Sequence, residues 1–536
     1  MIELALSKFK SALSSVKVDG ENLYNERQVK FLVELGRKQL DGNYLGKLSL
    51  ISLNSREKFA PKSADNFLNQ RLDKVLEKVK LKHDAIPVPF DANDDHVWRE
   101  AFEIDDVDYL RWDFKKGVVN YRYTLSKKHI LTLIKCFLSD NALDVSDKTH
   151  PLIPHKSRVN FTNKNGNEQD IPDLPLKVIE KLDLGYVNYT QLTNDVSELG
   201  VACLANGNYK TVIHFFQGVT LINKLHRQRL SPTKNNSIYT YPLAYHITGS
   251  NHPRLTDRVG VQHSRNELLA AMYKDVTFCN QDIVSSGVNM LEKLMRDAGI
   301  DTAWLVSYLK DPEKYRQDLM KRVGVDRGAI KSALQAVTNG GVFTPSSSGA
   351  VYKALEEKGD PDLSYKRATD FLDGVQELEK PMKELGKTFM DLKKCETLDW
   401  CFRGKLKNAI GQHYDVVEEC KASDEKRKAA KERKELAQLE LDAGGLNDTR
   451  KKYLESLIAD RLPPLQGRKG QRFSFMVMGM EQSFILRLIE LLPADNPVYV
   501  LKHDGFISKH PVKQSLVDQV KDECDLPHLK FIEEEM

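Results

Sequence analysis

The chain has 536 residues, 41% apolar and 29% charged, an ordinary globular composition that excludes general disorder and suits about two to four domains. Eighty Lys and Arg against 76 Asp and Glu give a net charge of +4, which excludes a histone-like polycation but leaves room for a basic channel on a mixed surface. No run of about 18 apolar residues occurs, and the opening segment is too interrupted by Glu and Lys for a signal peptide, so an intracellular protein without a membrane partner is expected.

No repeat shows at a period of about 20–50 residues, so solenoids and propellers are not expected. Residues 1–235 read as a mainly helical amino-terminal region. Arg27 to Leu40 and Phe67 to Lys82 carry apolar residues at spacings of three and four, the helical period. Ile86-Pro87-Val88-Pro89 and the polar stretch Phe161 to Asp173 separate such helices. Arg227 to Tyr241, which contains SPTKNNS, has loop composition and marks the boundary to a second region, 236–345.

The segments that carry chemistry begin there. Val276 to Asp282 is short, β-rich and ends in an acid; Ser285-Ser286-Gly287 then turns into an amphipathic helix, Val288 to Ala298. A second helix, Asp326 to Val337, stops at Asn339-Gly340-Gly341. Region 346–470 is helical and charged. Within it Lys421 to Lys434 holds seven bases and three acids, a pattern for a solvated helix face, with a nucleic-acid backbone contact as the alternative. The seven cysteines form no CxxC pair, which suits a reducing compartment, and the spacing of Cys395, Cys401, His413 and Cys420 fits buried thiols better than zinc ligands. In region 471–536, Phe473 to Leu492 is an apolar helix. A turn at Pro493 to Pro497 follows, and Val498 to Ser508 reads as a hairpin with Tyr499 in the core and His503 and Asp504 at the tip.

Three short patterns therefore occur in order: Asp282-x3-Ser286-Gly287 after a strand, Arg327-x3-Lys331-x7-Asn339-Gly340 on a helix and its stop, and His503-Asp504-Gly505-Phe506 on a hairpin. Each alone is weak. Together they suit phosphoryl transfer from a nucleoside triphosphate, which depends on electrostatic positioning more than on covalent help. Two carboxylates on adjacent strands, Asp282 and Asp504, with the Ile283 carbonyl, can hold two divalent ions. Magnesium is the natural ion, with manganese as the alternative. Arg327 and Lys331, at i and i+4, share a helix face that can clamp phosphates.

These residues resemble the single-subunit RNA polymerases of phage and mitochondrial type, members of the family A polymerase superfamily. Asp282 matches motif A, Arg327, Lys331 and Gly340 match motif B, and His503 with Asp504 matches motif C. Arg254, within Thr248 to Thr256, resembles the arginine-bearing segment before motif A. The resemblance covers Thr248 to Ile507 in patches. It implies an α+β, mainly helical right-hand polymerase: a palm with a small antiparallel sheet, fingers, and a thumb-like helical amino-terminal region. It further implies Asp282, Asp504 and Lys331 as catalytic groups and Arg327, Lys331, Asn339, Gly340, Gly287 and Arg254 around the nucleotide. His503 and Gln482 would stand at the primer or product end, although Glu481 and Gln482 also fit an exposed helix surface.

Gly287 stands where the DNA enzymes of the superfamily carry a bulky Glu, so ribonucleotides are implied. Asn339 replaces the tyrosine of motif B, and Phe343 is the nearest candidate for the missing ring. The expected function is DNA-directed RNA synthesis, with a nucleic-acid template, nascent RNA and nucleoside triphosphates as partners. Because the chain is shorter than typical phage RNA polymerases, a promoter-recognising element is expected to be absent or held by an accessory subunit for promoter or single-strand recognition. Its place would be a bacterial host cytoplasm if phage-encoded, or an organelle. A DNA polymerase or primase-type replicase is the alternative within this chemistry. A phosphohydrolase using His83-Asp84 or His503-Asp504, and a non-catalytic nucleic-acid-binding protein, are the alternatives outside it.

Overall fold

The computed structural model describes most of residues 2–40, 122–139, 184–248 and 255–534, with short strands at 51–52, 85–88, 114–115, 118–119 and 159–162. Helices dominate, and the sheets are small and mostly antiparallel. The class is α+β.

The helical period read from the sequence appears as Glu26–Leu40, which packs on Ile2–Ser14, itself packed on Lys127–Leu138. Ile2, Ala5, Leu6, Phe9 and Leu13 form the buried stripe of the first helix, at the spacing an apolar helix face requires. The helix expected at Phe67 to Lys82 and the pair His83-Asp84 lie outside the described residues. Ile86 to Val88 belongs to a strand, Ala85–Val88, paired with Arg122–Leu125. Phe161 likewise lies in a strand, Val159–Thr162, which runs parallel to Tyr245–Thr248.

Arg227 to Tyr241, expected as a loop, carries part of a three-stranded sheet. Ser231–Pro232 pairs with Ile238–Pro242, and that strand pairs back onto Leu184–Asn188. Residues on both sides of the stretch therefore join one ladder. Alternating Ile238, Tyr239, Thr240 and Tyr241 suits a strand better than the preceding SPTKNNS suggests.

The sheet that carries Asp282 has four antiparallel strands in the order Val498–Leu501, Gly505–Ser508, Cys279–Ile283, Phe531–Glu533. The first two form the expected hairpin, and its strands are fully buried. Tyr499 is buried, with its ring 4.7 Å from Tyr186, a core role as expected. Helices Ser286–Asp297 and Lys469–Leu491 pack on one another beside this sheet, and Gln514–Cys524 packs on the latter. One apolar cluster runs continuously from Ile2 to Phe531.

The charged region contains the helices Pro361–Gly374, Glu379–Met390 and Val416–Asp442. It also contains a three-stranded sheet, Cys401–Phe402, Lys405–Lys407 and His413–Asp415, where only helix was expected. Its buried anchors are Cys401, Leu406 and Tyr414, too few to leave a periodic signal. Cys395 and Cys401 are buried free thiols. Among the described residues no helix is long and apolar enough to cross a membrane.

Candidate active site

The strand Cys279–Ile283 and the hairpin meet in a register that pairs Asp282 with Gly505. Asp504 is then the next residue at the hairpin tip, and its carbonyl accepts the Ile283 amide at 2.9 Å. Two acids far apart in sequence thus become neighbours through backbone pairing alone. The Asp504 carboxyl is near enough to act electrostatically on that of Asp282, and both residues are only partly buried. Asp282 Oδ1 also accepts the Ile283 N–H at 2.9 Å.

Burial and, next, the negative charges of Asp504 and Glu534 push the Asp282 carboxyl well above the ordinary carboxylate range; its hydrogen bond with Asp504 acts the same way, and Lys502 opposes them. Two like charges sharing one site cannot both ionise cheaply. A cation between them reverses that penalty.

Gly505 makes the approach possible. A Cβ there would overlap the Gln281 carbonyl and stand 2.9 Å from the Asp282 Cα. No side chain fits. Glu534 belongs to the carboxyl-terminal segment, whose strand Phe531–Glu533 pairs with the other edge of Cys279–Ile283, and its amide donates to the Asn280 carbonyl at 2.8 Å.

Beyond Ile283 the chain turns sharply. Ser285 takes a left-handed φ of 53°, and the helix begins at Ser286. Ser286 Oγ donates to Glu481 at 2.7 Å, which ties this helix to Lys469–Leu491. Gly287 follows in the first turn, and a Cβ built on it meets nothing within 4 Å. Packing does not require glycine there.

The helix carrying the basic pair is Arg327–Thr338, capped by the Asp326 carboxylate on the Ala329 amide at 2.8 Å. Arg327 and Lys331 are both exposed, and Ile330, Leu334 and Val337 form the buried stripe. The structure does not join either base directly to the acid pair. The Arg327 guanidinium bonds instead to Glu313, at 3.0 to 3.2 Å, and it also feels the charge of Glu534, the same group that acts on Asp282.

Asn339 closes the helix, and Gly340, at φ 83°, supplies the left-handed residue that the stop needs. Both are exposed and lie against Gly470 at the start of the helix Lys469–Leu491. Phe343 packs half-buried against the apolar core.

Gln482 is fully buried, which corrects the exposed-surface alternative. Its Nε2 donates to the His503 carbonyl at 3.0 Å, and its Oε1 accepts the Leu255 amide at 3.4 Å. It braces the hairpin tip, and His503 beside it is partly exposed. Glu481 is likewise buried. Arg254 lies outside the described residues, although the strand Leu255–Asp257 that follows it reaches the Gln482 brace.

No family model matches the chain, and no curated protein matches it.

Several residues of this neighbourhood carry no signal in the sequence patterns: Glu313, Arg316, Tyr308, Glu534 and the Ser286–Glu481 bond. Asp311-Pro312 does announce a helix start, and the structure has Asp311 capping Pro312–Val323. Nothing local, however, links Glu313 to Arg327. Among the described residues, no group of three or more His, Cys, Asp and Glu is arranged to hold a metal.

Proposed function

We propose that the chain is a template-directed nucleotidyltransferase that makes RNA, a DNA-directed RNA polymerase of the single-subunit kind. The observation that carries this reading is the adjacency of Asp282, at the end of one strand, and Asp504, at the tip of the hairpin paired with it, with Asp282 held above its ordinary range by burial first and by that neighbour next. Asp282 and Asp504, with the Ile283 carbonyl, would hold magnesium, which would supply activation of a 3′-hydroxyl and neutralisation of the leaving pyrophosphate. The chemistry of the donors fits: two hard carboxylates whose mutual repulsion a cation relieves.

The protein's own groups do the rest. Arg327 and Lys331 grip the triphosphate and approach the acid pair as the helix closes. His503, braced by Gln482, stands toward the product end, with Asn339, Gly340 and Arg254 around the nucleotide. The open space at Gly287 accommodates a ribose 2′-hydroxyl. The palm is the four-stranded sheet, the fingers are the Arg327–Thr338 helix and its neighbours, and residues 1–235 serve template binding. Exposed Lys421, Lys428, Lys431 and Arg433 on Val416–Asp442 offer backbone contacts to nucleic acid. Template, nascent RNA and an accessory subunit for promoter recognition are the proposed partners, in an intracellular setting. Extension of a primed DNA template with labelled nucleotides tests it. Ribonucleotide incorporation supports the reading, deoxynucleotide preference points to the replicase alternative, and no incorporation rejects both.

A further inference from the structure

The free edge of Arg327 is set by a residue that no motif names. Its Nε lies 3.1 and 3.2 Å from the two carboxylate oxygens of Glu313, and its Nη2 lies 3.0 Å from one of them. This side-on grip fixes the plane of the guanidinium and leaves Nη1 as the outward donor. Glu313 does not hold Arg327 from a loose position. The Nη1 of Arg316 approaches Glu313 at 3.5 Å, and Arg316 is itself buried. Its Nε donates to the Tyr308 hydroxyl at 3.0 Å and its Nη2 to the Ser285 hydroxyl at 2.8 Å.

A continuous polar relay therefore runs from the turn after Asp282, through Ser285, Arg316 and Glu313, to Arg327. Arg316 in its middle is buried, and Arg327 at its outer end is exposed. An exposed ion pair adds little to stability, so the fold gains little from the Glu313–Arg327 contact. What the contact does supply is orientation for a long side chain that otherwise samples many rotamers.

We infer that Glu313 is a positioning residue for nucleotide binding, holding the Arg327 guanidinium so that its Nη1 edge meets the triphosphate. The inference rests on the polymerase reading and deepens it, since it acts through the helix assigned there to the phosphates. Glu313→Gln removes the charge that grips Arg327 with minimal change of shape.

The test is steady-state extension of a primed template by the full chain, with nucleotide KM and kcat measured separately for Glu313→Gln, Glu313→Asp, Arg327→Ala and the double variant E313Q/R327A. Glu313→Gln should raise nucleotide KM roughly three- to tenfold, the size of one lost charge-assisted restraint, with kcat and melting temperature unchanged. Glu313→Asp should recover part of the loss. In the Arg327→Ala background, Glu313→Gln should have no further effect. If Arg327→Ala raises KM while Glu313→Gln leaves it unchanged, or if the two effects multiply independently, the inference is overturned and the polymerase reading stands. If Arg327→Ala leaves KM unaltered, the assignment of the helix to the triphosphate fails and takes the inference with it. A wild-type chain that makes no polymer rejects both.

Discussion

The Ile283 amide donates to the Asp504 carbonyl at 2.9 Å, and that single backbone bond brings the hairpin tip against the end of the strand bearing Asp282. The acid pair is thus positioned by sheet register rather than by side-chain packing. Disturbing the register should disturb the pair.

Gly505 gives the most direct handle on that register. A methyl group there collides with the Gln281 carbonyl, and backbone on both sides leaves nothing flexible to yield. Gly505→Ala should lower stability by about 1–3 kcal/mol, the usual cost of overpacking, and should reduce polymer synthesis beyond what the stability loss explains. Chemical denaturation alongside extension assays at a temperature where the variant remains folded checks this. Unchanged stability would mean that the strands are not this close.

Asp282 gives a pH signature. Its carboxyl is raised in the folded protein, while the unfolded chain titrates near the ordinary value of about 3.9. The folded state therefore binds more protons above that value, and stability from this group is full below it and declines as pH rises through the raised folded pKa. At neutral pH without divalent ions, Asp282→Asn should be more stable than the wild type, by an amount on the order of 1 kcal/mol after allowing for solvent screening at this partly exposed group. The difference should vanish near pH 3. Magnesium should raise the melting temperature of the wild type at neutral pH and leave that of Asp282→Asn unmoved. A variant equally destabilised at both pH values would contradict the origin assigned to the shift.

Gly287 separates sugar selection from folding. Because a side chain there enters open space, Gly287→Glu should leave the melting temperature unchanged. It should shift kcat/KM against ribonucleotides relative to deoxynucleotides by a factor on the order of a hundred. Competition between labelled ribo- and deoxynucleotides on one template measures the ratio. An unaltered ratio would remove the steric argument for RNA.

Lys331 is exposed on the same helix as Arg327, one turn further on. Lys331→Ala should raise nucleotide KM about tenfold and leave template affinity in place, as expected for loss of one charged phosphate contact. Nucleotide titrations at fixed template decide this, and unchanged KM would detach the helix from the triphosphate.

Much of the local structure around the acids was legible because it has local causes. The apolar-periodic run and the Asn339-Gly340 stop announce a helix from Asp326 to Val337; the structure has Arg327–Thr338, with Asp326 and Asn339 as its caps. The apolar runs Val498 to Leu501 and Phe506-Ile507 on either side of Lys502 to Gly505 announce the hairpin. What could not be read depends on distant partners. Phe531–Glu533 is three residues with one buried side chain, and only the open edge of the Asp282 strand makes it a strand. Glu313 looks like any acid in a first helical turn until helix packing sets it beside Arg327. Gln482 looked as suited to an exposed surface as to a binding role, because its burial is decided by the hairpin tip folding over it.

The central claim is that Asp282 and Asp504 act as one site. Extension of a primed DNA template with labelled ribonucleotides and magnesium, comparing the wild type with Asp504→Asn, tests it most directly. The variant should retain template binding and lose synthesis by about a thousandfold or more. Synthesis by Asp504→Asn at the wild-type rate would contradict the account.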